Sequence, residues 1–284
     1  MPLIAVCGPP RSGTTLSFQI LTQAFDCLSI TNLHYLFYRT PLIGYYVSKF
    51  LTRRYISDYR SHFGFISGLN GPAQAYLFWN YWCDLDLCER DPRPDPRRVS
   101  RFQKLMNAIH RRDRRPLLAG WLAHGFYMES MIELYKQCVF VRVKRDMLSD
   151  AYSLLRFLRG QDGAIGPALL SSRSREVLQE PGESAHVQVA RQIYFINRRF
   201  DAQRLQHEDV IIEADYRDTC ANPHGFVTRV EEFVRSRGIT ILRRPDAEIP
   251  ESFPARVARR DDDEHTRKLA KALDELTEQY GPCR

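Results

Sequence analysis

Short unbroken apolar runs alternate along this chain with longer stretches in which apolar positions recur every three or four residues. Leu3-Ile4-Ala5-Val6-Cys7, Leu117-Leu118-Ala119, Cys138 to Lys144 and Val210-Ile211-Ile212-Glu213 are of the first kind, short enough for buried strands. Leu28-Ser29-Ile30-Thr31 reads as a further strand, with His34 in the loop beyond it. Helical spacing marks the run after Thr14, then His124 to Lys136, Met147 to Leu158, Ser184 to Leu205 and Pro223 to Arg237, the last stopped by Gly238. From Pro116 onward strands and helices alternate, which implies parallel strands joined by crossover helices. The expected class is α/β: a three-layer α/β/α arrangement around a central parallel sheet.

Residues 35 to 115 break this rhythm. Tyr35 to Tyr55 is rich in aromatic and aliphatic residues but holds Pro41, Gly44 and Lys49, so it reads as helical pieces packed as a subdomain, lining a cleft or touching a lipid surface. Gly68 to Pro72 is a turn, and Ala73 to Trp82 a helix of high aromatic density, suited to the core or to a platform for a sugar ring or acyl chain. Arg90 to Arg115 is the densest basic block, a Pro-broken loop leading into a helix. Gly160 to Gly182, rich in Gly and Ser, reads as a mobile loop. The organisation expected is one domain, 1–284, with a helical, aromatic-rich insertion over about 35–115.

Composition changes this picture little. With 44% hydrophobic and 26% charged residues the chain is of globular type, not disordered. The net charge of +7 favours an anionic partner. Seven cysteines without C-x-x-C spacing read as reduced, mostly buried thiols. A first strand at residue 3 leaves no room for a signal peptide, and no apolar run reaches the ~20 residues of a membrane span. The location expected is the cytoplasm, with peripheral membrane contact compatible with the insertion.

Candidate chemistry begins in the first turn, where Gly8-Pro9-Pro10-Arg11-Ser12-Gly13-Thr14-Thr15 joins the first strand to the first helix. Backbone N–H groups at a helix start and the positive end of its dipole make a phosphate cradle. The spacing is close to the nucleotide P-loop, but Thr14 stands where an ATPase carries lysine, and the cation has moved to Arg11. Pro10-Arg11-Ser12-Gly13-Thr14-Thr15 closely resembles the 5′-phosphosulfate loop of the sulfotransferases, which use 3′-phosphoadenosine 5′-phosphosulfate (PAPS).

Arg145 at the end of the third strand run, with Ser153 eight residues on, resembles the family's 3′-phosphate motif, Met147 replacing a common proline. Asp215-Tyr216-Arg217-Asp218 to Pro223 and Val230 to Phe233 resemble its later strand and helix, so the likeness spans residues 3 to 34 and 116 to about 240.

The resemblance implies a P-loop nucleoside-kinase-like fold and sulfonyl transfer from PAPS to a hydroxyl of a sugar, glycolipid or small natural product, with no nucleic acid and no metal. It implies donor binding by Pro10, Arg11, Ser12, Gly13, Thr14, Thr15, Arg145, Ser153 and Tyr216, with Arg11 neutralising the bridging oxygen. For the general base it points to His124, 21 positions before Arg145, where Gly120 to Ala123 replaces a Lys-Thr segment, or to His34. Glu129 and Asp146 are weaker candidates. Asp261-Asp262-Asp263-Glu264 reads as the acidic start of a helix to Tyr280, not a metal site. The alternatives are a P-loop kinase and a catalytically inactive nucleotide-binding relative.

Overall fold

The computed structural model describes residues 1–51, 55–61, 64–159 and 183–283. The expected loop at Gly160 to Gly182 lies outside the described residues. Four strands, β1 (Leu3–Cys7), β2 (Leu117–Gly120), β3 (Cys138–Lys144) and β4 (Ile211–Asp215), form a parallel sheet in the order β2-β1-β3-β4. Strand β1 is central: Leu3 pairs with Leu117 on one side and Cys138 on the other. A strand covered on both faces needs apolar residues at every position, and all five residues of β1 are buried.

Alternate residues feed two cores. Ile4, Val6, Leu118, Val139, Val141 and Val143 pack against α1 (Thr14–Ala24) and α10 (Pro223–Ser236). Leu3, Ala5, Ala119 and Phe140 face α4 (Tyr76–Cys83), α5 (Pro96–Asp113), α6 (Met128–Leu134) and α8 (Ala185–Gln206). A third cluster joins α7 (Met147–Arg159), α8 and α11 (Glu264–Tyr280). The result is the three-layer α/β/α architecture read from the sequence.

The insertion supplies α2 (Asn32–Leu36) and α3 (Pro41–Leu51) as well as α4 and α5. Phe78, Trp79 and Trp82 of α4 are buried, and Phe102 of α5 stacks on Trp82 with ring centroids 5.6 Å apart. The dense aromatics are therefore core and not a platform.

Two expectations need correction. Leu28 to Thr31 is not a full strand: Leu28 accepts from Leu118 N–H at 2.8 Å and donates to Pro116 O at 2.9 Å, after which Thr31 already caps α2. His34 therefore lies inside α2 and not in a loop. His124 to Lys136 also divides, into a 3₁₀ turn at Leu122–Phe126 and α6. Of the cysteines, four are buried and Cys88 is exposed.

One buried polar network crosses the sheet. Arg142 of β3, wholly buried, pairs with Asp201 of α8 at 2.7 Å and with Glu213 of β4 at 3.0 Å. It lies beside Cys7 in register and ties β3, β4 and α8 together directly below the strand ends.

Candidate active site

Strand β1 ends at Cys7, and the loop Gly8 to Gly13 carries the chain into α1. Ser12 N–H donates to Pro9 O at 3.2 Å, closing a turn with Pro10 second and Arg11 third. Arg11 has φ 71°, a left-handed conformation that costs a residue with a Cβ about 1–3 kcal/mol and marks functional sites. Its partners hold it there: the Arg11 carbonyl accepts from Arg145 Nη1 at 2.8 Å and its Nε donates to Ser153 Oγ at 3.1 Å.

Gly13 follows with φ 99°, and a Cβ there would fall 2.4 Å from the Tyr216 ring. As the residue capping α1 it offers no side-chain oxygen. The first amides of α1 therefore point outward at the positive end of the helix, where an anion is stabilised. Ser12 is wholly buried, and its Oγ finds no hydrogen-bond partner in the structure. A buried hydroxyl of this kind beside a helix start suits a phosphate or sulfonyl oxygen.

Arg145, just beyond β3, is the knot of the site. Besides Arg11 O it reaches Arg256 O, and its guanidinium lies 4.6 Å over the ring of Tyr216, the first residue of α9 (Tyr216–Ala221). The Tyr216 hydroxyl accepts from Arg256 N–H at 3.4 Å. Arg256 belongs to a strap that crosses the sheet's carboxyl edge. Phe253 N–H donates to Cys220 O at 2.7 Å and Ala258 N–H to Ser149 Oγ at 2.9 Å.

Three cations thus converge. Burial first, then the charges of Arg145 and Arg256, lowers Arg11 below the ordinary arginine range, with Asp150 opposing. Asp150 is fully buried in α7, 3.8 Å from Arg145 Nη1, and burial pushes its carboxyl well above the usual carboxylate range. The site thus gathers three arginines around one buried carboxyl.

Beside the loop a narrow cleft of about 10 Å³ is lined by Thr14, Thr15, Gly64, Ile66, Gln74 and Trp121, among others. A larger depression, about 230 Å³, lies at the opposite sheet edge beside Met1 and Gln137. Ligands of open parallel sheets bind at the carboxyl ends of the strands, which assigns the chemistry to the loop side.

Pro10, Arg11, Ser12, Gly13, Thr14, Thr15, Arg145, Ser153 and Tyr216 all gather at this edge. Arg145 and Ser153 do so differently from a detached second phosphate site: both are bonded to Arg11. The histidines stand apart. His34 Nδ1 accepts from Thr31 N–H at 3.2 Å in a capping box and its Nε2 meets Ser48 Oγ at 3.1 Å. Burial lowers its pKa to about 4. His124 is wholly buried between the Trp79 and Trp121 rings, at 4.7 and 5.3 Å, and burial lowers its pKa to about 3. A base must reach the acceptor; His124 has no exposed surface, and both ring nitrogens of His34 are engaged by Thr31 and Ser48. Glu129 is exposed on α6, and Asp146 caps α7 by accepting from Ser149 N–H at 2.8 Å. Asp150 and the Arg256 strap went unnoticed in the sequence, which offered only the basic run Arg256 to Arg260 as a signal.

No family model matches the chain, and no curated protein matches it in sequence. Among solved structures, a sulfotransferase from Mycobacterium avium superposes over 100% of this chain and 69% of its own, at 16% identity and a TM-score of 0.50. The fold is sulfotransferase-like. A sulfotransferase from Mycobacterium tuberculosis aligns over 98% of this chain and 76% of its own, at 12% identity and a TM-score of 0.49. The sulfotransferase domain of the curacin biosynthetic pathway aligns over 96% and 98%, at 11% identity and a TM-score of 0.47. Against this fold, the loop at residues 8–15 occupies the turn between the central strand and the first helix.

Proposed function

We propose that this protein is a sulfotransferase that moves a sulfonyl group from PAPS to a hydroxyl acceptor. The observation that carries this reading is the Arg11–Ser153 and Arg145–Arg11 pairing, which fuses the two phosphate-binding motifs into one cationic site. The outward amides of α1, Ser12 Oγ and the threonine hydroxyls would hold the 5′-phosphosulfate. Ser153, Arg145 and the Arg256 strap would face the 3′-phosphate side, and the Tyr216 ring backs Gly13.

The donor supplies the sulfonyl group and a bisphosphate leaving group. Transfer breaks the bond from sulfur to the bridging phosphate oxygen and forms one to the acceptor oxygen, whose proton passes to solvent water, the leaving bisphosphate keeping the bridging oxygen. Arg11 carries a guanidinium that neutralises charge growing on the bridging oxygen, a stabilisation that grows toward the transition state. The small cleft beside Thr14 and Thr15 would receive no more than the hydroxyl itself, the rest of a sugar, glycolipid or small natural product lying outside it.

The test has two arms. Calorimetry with 3′,5′-bisphosphoadenosine and with AMP measures the site, and transfer of labelled sulfonyl to a panel of alcohol acceptors measures the reaction. Much tighter binding of the bisphosphate together with labelled product is the expected result; equal affinities would sink the reading. The named cleft residues include no carboxylate and no histidine, which favours a second reading, a donor-binding relative without turnover. Tight bisphosphate binding with no product from any acceptor would select it.

A further inference from the structure

The insertion leaves an apolar helix face uncovered. On α3, Ile43, Tyr46 and Phe50 fall at i, i+3 and i+7, one side of a helix. Phe50 is 92% exposed and Leu51 beside it 72% exposed. The opposite side is anchored: Pro41, Gly44 and Tyr45 are buried, and Ser48 bonds to His34 of α2. The exposed face is therefore presented by a helix fixed in place.

The apolar exposure continues through elements tied to α3. Leu36, at the end of α2, is 69% exposed. Asn32 at the other end donates to Ile66 O at 2.8 Å and Gly68 O at 2.7 Å, fastening the segment in which Phe65 and Leu69 are also exposed. Large exposed patches rimmed by polar residues mark interaction surfaces.

Charge decides the partner. Between Asp26 and Asp84 the only carboxylate is Asp58, against Arg39, Lys49, Arg53, Arg54 and Arg60. The neighbouring helix α5 adds exposed Arg111 and Arg112, the latter with its guanidinium 5.6 Å over the Tyr46 ring. A second copy docked about a two-fold axis would oppose like patches, bringing exposed Arg111 and Arg112 against their counterparts, while the buried Asp113 beside them is already engaged by Lys49 and Arg115. An apolar face bordered by Lys and Arg matches instead the headgroup and acyl boundary of an acidic bilayer.

We propose that the α3 face, with its basic border on α5, seats this protein on the surface of an anionic lipid bilayer. Docking of this kind needs neither donor nor acceptor, so it stands or falls apart from the transfer reaction.

The experiment is co-sedimentation of the full chain with vesicles of phosphatidylcholine alone and of phosphatidylcholine mixed with phosphatidylglycerol. Binding to the acidic vesicles, weakened by salt and lost with phosphatidylcholine alone, is expected. Arg111→Gln with Arg112→Gln should weaken it on the order of 25-fold, about fivefold for each charge. Phe50→Ser with Leu51→Ser should remove most of it, while Leu242→Ser, an exposed apolar residue outside the insertion, should leave it unchanged. Thermal melts of each variant matching the wild type make a loss of binding attributable to the surface. Equal sedimentation with both vesicle types, no sedimentation with either, or undiminished binding by the folded Phe50→Ser, Leu51→Ser variant overturns the proposal. So does a wild-type dimer in solution that this variant turns into a monomer.

Discussion

Arg11 has two requirements that pull against each other. Its side chain supplies the cation nearest the loop, while its backbone adopts a conformation that glycine would reach at no steric cost. Comparing Arg11→Ala with Arg11→Gly separates them, since both remove the charge and only the second relieves the strain. Arg11→Gly should be more stable than Arg11→Ala by about 1 kcal/mol in urea unfolding, with turnover abolished in both. Equal stabilities would show that Arg145 and Ser153 do not hold the loop in a costly conformation. The motif at residues 10–15 was legible in the sequence because its glycine and threonines have fixed spacing. Its fusion to Ser153 was not, because the two residues are 142 positions apart and nothing local records their meeting. The histidines misled for a related reason: sequence position placed them near strand ends, whereas solvent access depends on Trp79, Trp121 and Ser48, which reach them through the fold.

At the scale of elements, strands and long helices followed their apolar periodicity closely, and the departures occur where tertiary contacts decide. Leu28 to Thr31 has strand-like residues but meets β2 only at Leu28 and the 72–73 segment only at Ile30 and Thr31, so no continuous ladder forms before the chain turns into α2. Strand β3 contains the converse case, an arginine in the middle of a buried run. Arg142 survives there because Asp201 and Glu213 come from α8 and β4, and neither partner can be inferred from the strand itself. Arg142→Met takes from the largely buried Asp201 the cation 2.7 Å away, while the half-exposed Glu213 keeps Lys144 and Arg204. Loss of one side of a buried ion pair typically costs about 3–5 kcal/mol, and a drop of that size in chemical denaturation is expected. Arg142→Met with Asp201→Leu and Glu213→Gln should recover much of it; failure to recover would mean that Arg142 acts by packing on Phe200.

For the molecule as a whole, two imidazoles, His124 buried and His34 half-buried, set an acid limit on stability. Both rings have pKa values lowered by burial, to about 4 for His34 and about 3 for His124, against ~6.5 in an unfolded chain. Between those values the unfolded chain binds more protons than the folded one, so stability rises with pH there. It is undiminished by these groups above ~6.5 and falls as the pH drops from that value toward about 4. Melting temperatures across this range should decline on the acid side, and His124→Leu should flatten part of the decline. An unchanged slope in that variant would place the acid sensitivity elsewhere.

Strand order carries a further consequence, for the chain during synthesis. Of the four strands of this sheet the earliest in chain order lies inside it, yet both its neighbours are encoded far downstream, β2 from Leu117 and β3 from Cys138. At ~5–20 residues per second, Leu3 to Cys7 emerges on the order of ten seconds before either partner exists. Throughout that interval its five apolar residues and its two rows of backbone donors and acceptors are without the sheet that later encloses them. A nascent segment of this kind is a natural client for a chaperone at the ribosome exit. The loop at residues 8–13 attached to it is translated well before the strands that flank it and takes shape only once they arrive.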